Sequence, residues 1–174
     1  MALQASPQGR RGRRLPRGVI IAFKAAAALH RLAGGAGMGR MLLLTTIGRK
    51  SGHERTVQLS WFEDAVNVPG RWLVVASRGG DRRHPDWFLN LVDRPEQVWV
   101  QLAARRVRVR VEVLQGAERE AAWARITSKH GNYAEYAKKT DRLIPVLRLC
   151  SVEMVQQPQW RAERVEGAMA PEAS

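Results

Sequence analysis

Alternation of apolar and polar positions is clearest over residues 106–114. There Val107, Val109, Val111 and Val113 alternate with Arg106, Arg108, Arg110 and Glu112. A period of two places one set on each face of a strand, so this segment reads as β-structure with one wet face. Apolar runs bounded by turn residues predict further strands over residues 41–46, 56–63, 72–77, 97–102 and 145–154. Asn67-Val68-Pro69-Gly70 is a turn signal leading into the third of these in chain order. Helical spacing is confined to a few segments. His84-Pro85-Asp86 opens a helix, because Pro85 suits a first turn and Asp86 suits the positive helix end. Trp87, Phe88 and Leu91 then form its buried side. Residues 118–129 make a second helix with Trp123, Ile126 and His130 on one face. Gly131-Asn132 interrupts it, and residues 133–139 form a short further piece. Many short strands with few helices predict an α+β, mainly β fold: an antiparallel barrel with peripheral helices.

The amino-terminal pattern is different. Residues 1–17 are rich in Arg, Gly and Pro and are expected to be disordered. Residues 18–33 turn apolar, and Arg17, Lys24 and Arg31 recur every seven residues, so a helix gathers them on one side. Such a helix suits packing on the domain or lying on an anionic membrane surface. It is not a transmembrane span, because Lys24 divides an apolar run shorter than about 20 residues; the same break argues against a secretory signal. The glycine-rich stretch before residue 40 reads as a link. The expected organisation is therefore a basic, partly disordered arm over residues 1–39, a barrel domain over 40–155 and a loose tail over 156–174.

Charge sharpens this picture. The chain has 174 residues and a net charge of +13, with 29 Lys and Arg against 16 Asp and Glu. Residues 1–40 hold eight of the cations and no acid, so more than half of the excess lies in the arm. An anionic partner is implied, whether nucleic acid, acidic lipid or an acidic ligand. One domain's length with 45% apolar content suffices for a core. The single cysteine, Cys150, excludes an intramolecular disulfide and suits a reducing, cytoplasmic compartment; its apolar context predicts a buried thiol. The four histidines are scattered, so no metal site is expected.

Four groups could carry chemistry. The turn Gly48-Arg49-Lys50-Ser51-Gly52, with Arg55 just beyond, offers cationic side chains and glycine-bounded backbone to an anion. Read in isolation it is also a plain hairpin turn. Ala76-Ser77-Arg78-Gly79-Gly80 ends a predicted strand, and its glycines allow close approach of a ligand. Trp87 and Asn90 share one helix face. His130, Tyr133 and Tyr136, spaced by three, could rim a pocket or form a packing face. No nucleophile elbow, P-loop, Rossmann fingerprint or carboxylate pair competes with these groups. A barrel with an anion-binding turn and an aromatic rim suits a protein that lends its walls to a redox cofactor.

The order of these blocks resembles the deazaflavin-dependent nitroreductase family, whose members use coenzyme F420, an 8-hydroxy-5-deazaflavin with a ribityl phosphate and a polyglutamate tail. The matching pieces are Leu42 to Gly52, Val75 to Gly80, His84 to Leu91 and Thr140 to Val146, which together span about residues 40–150. The resemblance implies a split β-barrel related to FMN-binding oxidoreductases. It implies that Arg49, Lys50, Ser51 and Arg55 hold the phosphate and tail. Ala76, Ser77 and Arg78 border the ring, Trp87 and Asn90 lie beside it, and Tyr133 joins them at the cofactor. Tyr133, Tyr136, His130 and Ser77 are the candidate proton donors. Relatives often carry a tyrosine where this chain has His130, which bears on acceptor range. The implied activity is hydride transfer to a small conjugated acceptor such as a quinone, enone or nitro compound. The alternatives are an FMN-dependent oxidoreductase, a non-catalytic carrier of the cofactor and, more distantly, a nucleic-acid-binding module. Against the last, the domain has no recognised nucleic-acid motif. The arm could touch the inner face of the cell membrane, and oligomeric state is not legible.

Overall fold

The structure is a computed structural model of the chain that describes residues 3–11, 40–64 and 68–152. The expected arm helix and the tail lie outside the described residues. Six strands form one antiparallel sheet: β1 Met41–Ile47, β2 Glu54–Ser60, β3 Arg71–Val75, β4 Val98–Leu102, β5 Arg105–Val113 and β6 Val146–Ser151, in the order β2-β1-β4-β5-β6-β3. Among the described residues three α-helices accompany them: α1 Asp86–Asp93, α2 Gly116–Lys129 and α3 Gly131–Lys138.

The long strand β5 makes the barrel. Its first half pairs with β4, from Leu102↔Arg105 to Trp99↔Arg108, and its second half pairs with β6, from Val109↔Ser151 to Val113↔Leu147. One strand shared between two partners coils the sheet, which brings the outer strands β2 and β3 towards each other. They meet at a single bridge just past β2, where Phe62 and Leu73 exchange two backbone hydrogen bonds of 2.9 Å. The result is a barrel closed, among the described residues, by one bridge along that seam.

Alternation sorts the side chains as the valine pattern demands. Val107, Val109 and Val111 are buried while Arg106, Arg108 and Arg110 face outward. Leu42, Leu44, Val74, Val98, Val100, Leu147 and Leu149 fill the interior with them, and Trp87, Phe88 and Leu91 of α1 plug one mouth. A second cluster lies on the outer face of β3 and β6, where Leu73, Val75 and Val146 receive Ala122 and Ile126 of α2, with Trp123, Tyr133 and Tyr136 packed against it. Successive residues of β3 thus serve opposite clusters. Cys150 is buried, and burial pushes its thiol pKa up.

Several boundaries differ from expectation. β2 begins at Glu54 and ends at Ser60, so Arg55 belongs to the strand. Its register partner is Thr46, and with Val57 and Leu59 it shares the face directed at the barrel interior, which sets Arg55 at the rim of the mouth. Pro85 stands just ahead of α1 rather than in its first turn. The break between α2 and α3 falls at His130, whose φ/ψ of −136°/78° is not helical, and Gly131-Asn132 open the next helix. Residues 3–11, expected to be disordered, lie against the domain: Gly9 donates to the Arg82 carbonyl at 2.9 Å, and the Arg10 and Arg11 amides donate to Asp141 at 3.2 and 3.0 Å.

Candidate functional site

The basic turn is closed by its own backbone. The Ser51 and Gly52 amides donate to the Gly48 carbonyl at 3.1 and 2.8 Å, and the Gly48 amide donates to the His53 carbonyl at 2.9 Å. The Arg49 amide is spent on the Asn90 side-chain oxygen at 3.2 Å. These amides are therefore not a free anion nest, contrary to the expectation from the glycine spacing. The donors left for an anion are side chains. Lys50 is exposed and has no ion-pair partner among the described residues; Arg55 reaches the Ser51 hydroxyl at 3.3 Å. Glycine is needed at position 52 for its φ of +69°.

Asn90 is buried and works as a tie. Its side-chain oxygen accepts from both the amide and the guanidinium of Arg49 at 3.2 Å, and its amide faces the Thr46 hydroxyl at 3.5 Å. This locks the basic turn onto α1. Trp87, one turn earlier, lies in the barrel core with its ring edge-on to Phe88 at 6.2 Å.

The second group follows β3. Arg78, Gly79 and Gly80 all have positive φ, at 47°, 63° and 82°, and make one short 3-10 turn. A left-handed arginine is costly and persists only where its surroundings hold it. Arg78 is held by Asp81 at 3.3 Å, by the His84 carbonyl at 3.4 Å and by Asp86 at 3.6 Å. Beneath the turn lies a residue that sequence reasoning left without a role. Arg142 is buried and donates to the carbonyls of Asp81 at 2.8 Å, Ala76 at 3.1 Å and Ser77 at 2.6 Å. Burial lowers its pKa to about 10, with Asp81 opposing and Arg78 adding to the fall, so it stays charged at neutral pH. His84 stands beside it. The His84 Nε2–H donates to the Ser6 carbonyl at 2.7 Å, which leaves Nδ1 facing Arg142 at 3.5 Å. Burial and Arg142 push its pKa down, so the ring is neutral. The Ser77 hydroxyl has no hydrogen bond among the described residues.

The third group comes from α3. Gly80 touches this helix so closely that an added Cβ would stand 2.6 Å from the Tyr136 carbonyl and 2.9 Å from Lys139 Cβ. Tyr133 packs edge-on against Phe62 at 5.4 Å and against Tyr136 at 5.6 Å. His130 is exposed but sets its ring 4.9 Å from Phe62. Burial is the main cause that raises the Tyr133 pKa above the ordinary phenol value, so Tyr133 is a neutral phenol at pH 7. A Gly80→Ala substitution should destabilise the fold by about 1–3 kcal/mol, from the positive φ and the clash with α3 together. Thermal unfolding checks this; an unchanged midpoint would show that α3 yields freely.

The four groups named from sequence thus form one continuous arc. Asn90 joins the basic turn to α1, and the Asp86 carboxylate lies 3.4 Å from Arg49 and 3.6 Å from Arg78, joining both to the strand-end turn. Gly80 joins that turn to the tyrosines. Sequence reasoning passed over Arg142, Asp81 and His84, although Arg142 carries a charge beside the apolar stretch Leu143 to Leu147, a signal that it is buried and paired. Among the described residues no group of His, Cys, Asp or Glu could hold a metal ion, and no helix is long and apolar enough to cross a membrane.

Comparison with known proteins bears on what the arc serves. The model of a family described as F420H(2)-dependent quinone reductase matches residues 24–150. An F420H(2)-dependent quinone reductase of Mycobacterium tuberculosis is 34% identical over 111 residues, which cover 62% of this chain and 71% of the relative. A solved F420-H2 dependent reductase is 39% identical, with a TM-score of 0.55 over 64% of this chain and 94% of that one. A second solved chain, described as a domain-swapped dimer, is 32% identical with a TM-score of 0.56, covering 77% of this chain and 99% of its own. The order of the motifs, the split barrel and a family match across most of the chain agree: this chain belongs to the F420H(2)-dependent quinone reductase family of oxidoreductases.

Proposed function

We propose that the protein binds reduced coenzyme F420 along the arc and reduces a small conjugated acceptor, a quinone in the first instance, with enones and nitro compounds as further candidates. The observation that carries this reading is the continuity of the arc: a cationic turn at one end, in the middle a strand-end turn whose serine hydroxyl has no hydrogen bond among the described residues, and two tyrosines at the other. The residues present fit the cofactor. Lys50 and Arg55 are side-chain donors at the barrel rim, matched to a phosphate and a carboxylate tail. Arg142 holds the backbone of Ala76 and Ser77 rigid, so that the ring would border a fixed surface.

When bound, the reduced deazaflavin supplies the hydride. The protein's own part is to orient, to exclude water and to keep a proton in place. Tyr133, in an apolar setting with its proton firmly held, is the best-placed donor to an acceptor oxygen that gains negative charge. Tyr136, Ser77 and His130 are secondary candidates. Trp87, fixed in the core, would serve as floor rather than as an open stacking wall. For the amino-terminal arm, its seven cations without an acid support peripheral contact with an anionic membrane.

Side-by-side titration with oxidised coenzyme F420 and FMN tests the cofactor, and an acceptor panel then tests the substrate class. Lys50→Ala and Arg55→Ala should each weaken deazaflavin binding by about 1–3 kcal/mol. A cofactor with a shortened glutamate tail should narrow the gap between variant and wild type. Unchanged affinity in both variants would remove the phosphate and tail from this end of the arc.

A further inference from the structure

Asp86 is the acid shared by the two loops that build the arc. Its carboxylate stands 3.4 Å from the Arg49 guanidinium and 3.6 Å from that of Arg78, and those arginines come from separate turns of the chain. The two sides of this contact are unequal. The Asp86 side chain is 73% exposed, whereas those of Arg49 and Arg78 are 29% and 21% exposed. Each arginine also has a second, buried partner: Arg49 donates to Asn90, and Arg78 pairs with Asp81. If Asp86 swung into solvent, both guanidiniums would keep their places. The arginines are fixed and the carboxylate is exchangeable.

We propose that Asp86 is a built-in counter-ion that neutralises Arg49 and Arg78 in the absence of ligand and yields them to the anionic group of the incoming cofactor. The cofactor half of this statement rests on the function proposed above; the anion half does not. A phosphate carries more charge than one carboxylate and accepts from two guanidinium forks, so it can displace Asp86. The displaced carboxylate stays tethered nearby, where it weakens the bound anion and competes to recapture the arginines. Asp86 would thereby set how tightly the cofactor is held and how fast it leaves, without touching the reacting atoms. It is a positioning residue.

The test compares wild type, Asp86→Asn and Asp86→Glu for binding of oxidised coenzyme F420 and, separately, of inorganic pyrophosphate, at two salt concentrations. Asp86→Asn should bind both ligands about threefold to thirtyfold tighter, with slower release of the deazaflavin and a steeper loss of affinity with salt. Asp86→Glu should stay near wild type, because it keeps the charge. Equal or weaker binding of pyrophosphate by Asp86→Asn overturns the proposal, and so does equal tightening by Asp86→Glu. Should pyrophosphate binding tighten while no variant binds the deazaflavin, the counter-ion stands and the cofactor reading falls. Should the deazaflavin bind wild type and Asp86→Asn alike, the cofactor reading stands and the counter-ion falls.

Discussion

Replacing Arg142 with methionine is expected to cost about 3–5 kcal/mol of folding stability. The guanidinium donates to three carbonyls, those of Ala76, Ser77 and Asp81, and it is buried while doing so. A methionine of similar length fills the space but removes a donor from all three acceptors and leaves that of Ala76 unpaired, while the Ser77 carbonyl keeps the Gly80 amide at 3.0 Å; each acceptor left unpaired where water cannot reach costs about 1–3 kcal/mol. Partial relaxation of the turn keeps the total below the simple sum. Lysine is no rescue, for an ammonium cannot fork to three carbonyls. Burial that brings the guanidinium down to about 10 would also act on an amine starting from a lower value. Chemical denaturation measures the effect. Arg142→Met should lower the midpoint without changing the slope, and Arg142→Lys should recover less than half of the loss. A cost under about 1 kcal/mol would mean that the strand-end turn is held by something other than this side chain.

Turnover should respond most to Tyr133. Tyr133→Phe is expected to reduce the rate with quinone or enone acceptors by roughly tenfold to a thousandfold, with cofactor affinity nearly unchanged. The ring is fixed by edge-on contacts with Phe62 and Tyr136, so phenylalanine keeps the packing and removes the hydroxyl alone. Burial raises the Tyr133 pKa above the ordinary phenol value, so this group adds no ionisation to the rate profile between about pH 6 and 9. A drop in rate that is flat across that range identifies a lost hydrogen-bond donor. His130→Tyr restores the residue commoner among relatives and should shift acceptor preference, because the ring at this position already lies on Phe62. Steady-state rates against a fixed acceptor panel decide these points. If Tyr133→Phe and His130→Tyr both match wild type, the two positions are a packing face and the acceptor docks elsewhere.

What the chain declares by itself is what neighbours in sequence can impose. The alternation from Val107 to Val113 can only be a strand with one dry face, and the structure places it in the middle of the sheet. Trp87, Phe88 and Leu91 repeat at helical spacing and do plug the barrel. The basic residues of the first hairpin, the glycines after Ser77 and the spaced tyrosines were also legible, because each depends on composition within a few positions.

Tertiary structure decided everything that joins residues far apart in the chain. Glycine spacing allowed an amide nest at Gly48–Gly52, but hairpin closure consumed those amides and Asn90 took that of Arg49, 41 positions away. The pinning of Ala76 and Ser77 by Arg142 spans more than sixty positions, and barrel closure at Phe62 and Leu73 depends on how β5 divides itself between β4 and β6. The contact of Asp86 with two arginines follows from folding both loops around one helix terminus. Local pattern fixes which face of an element is dry; only packing fixes which elements meet. Hydrogen-bond partners and shared counter-ions belong to the second kind of fact, because the burial that makes them necessary does not exist until the sheet has coiled.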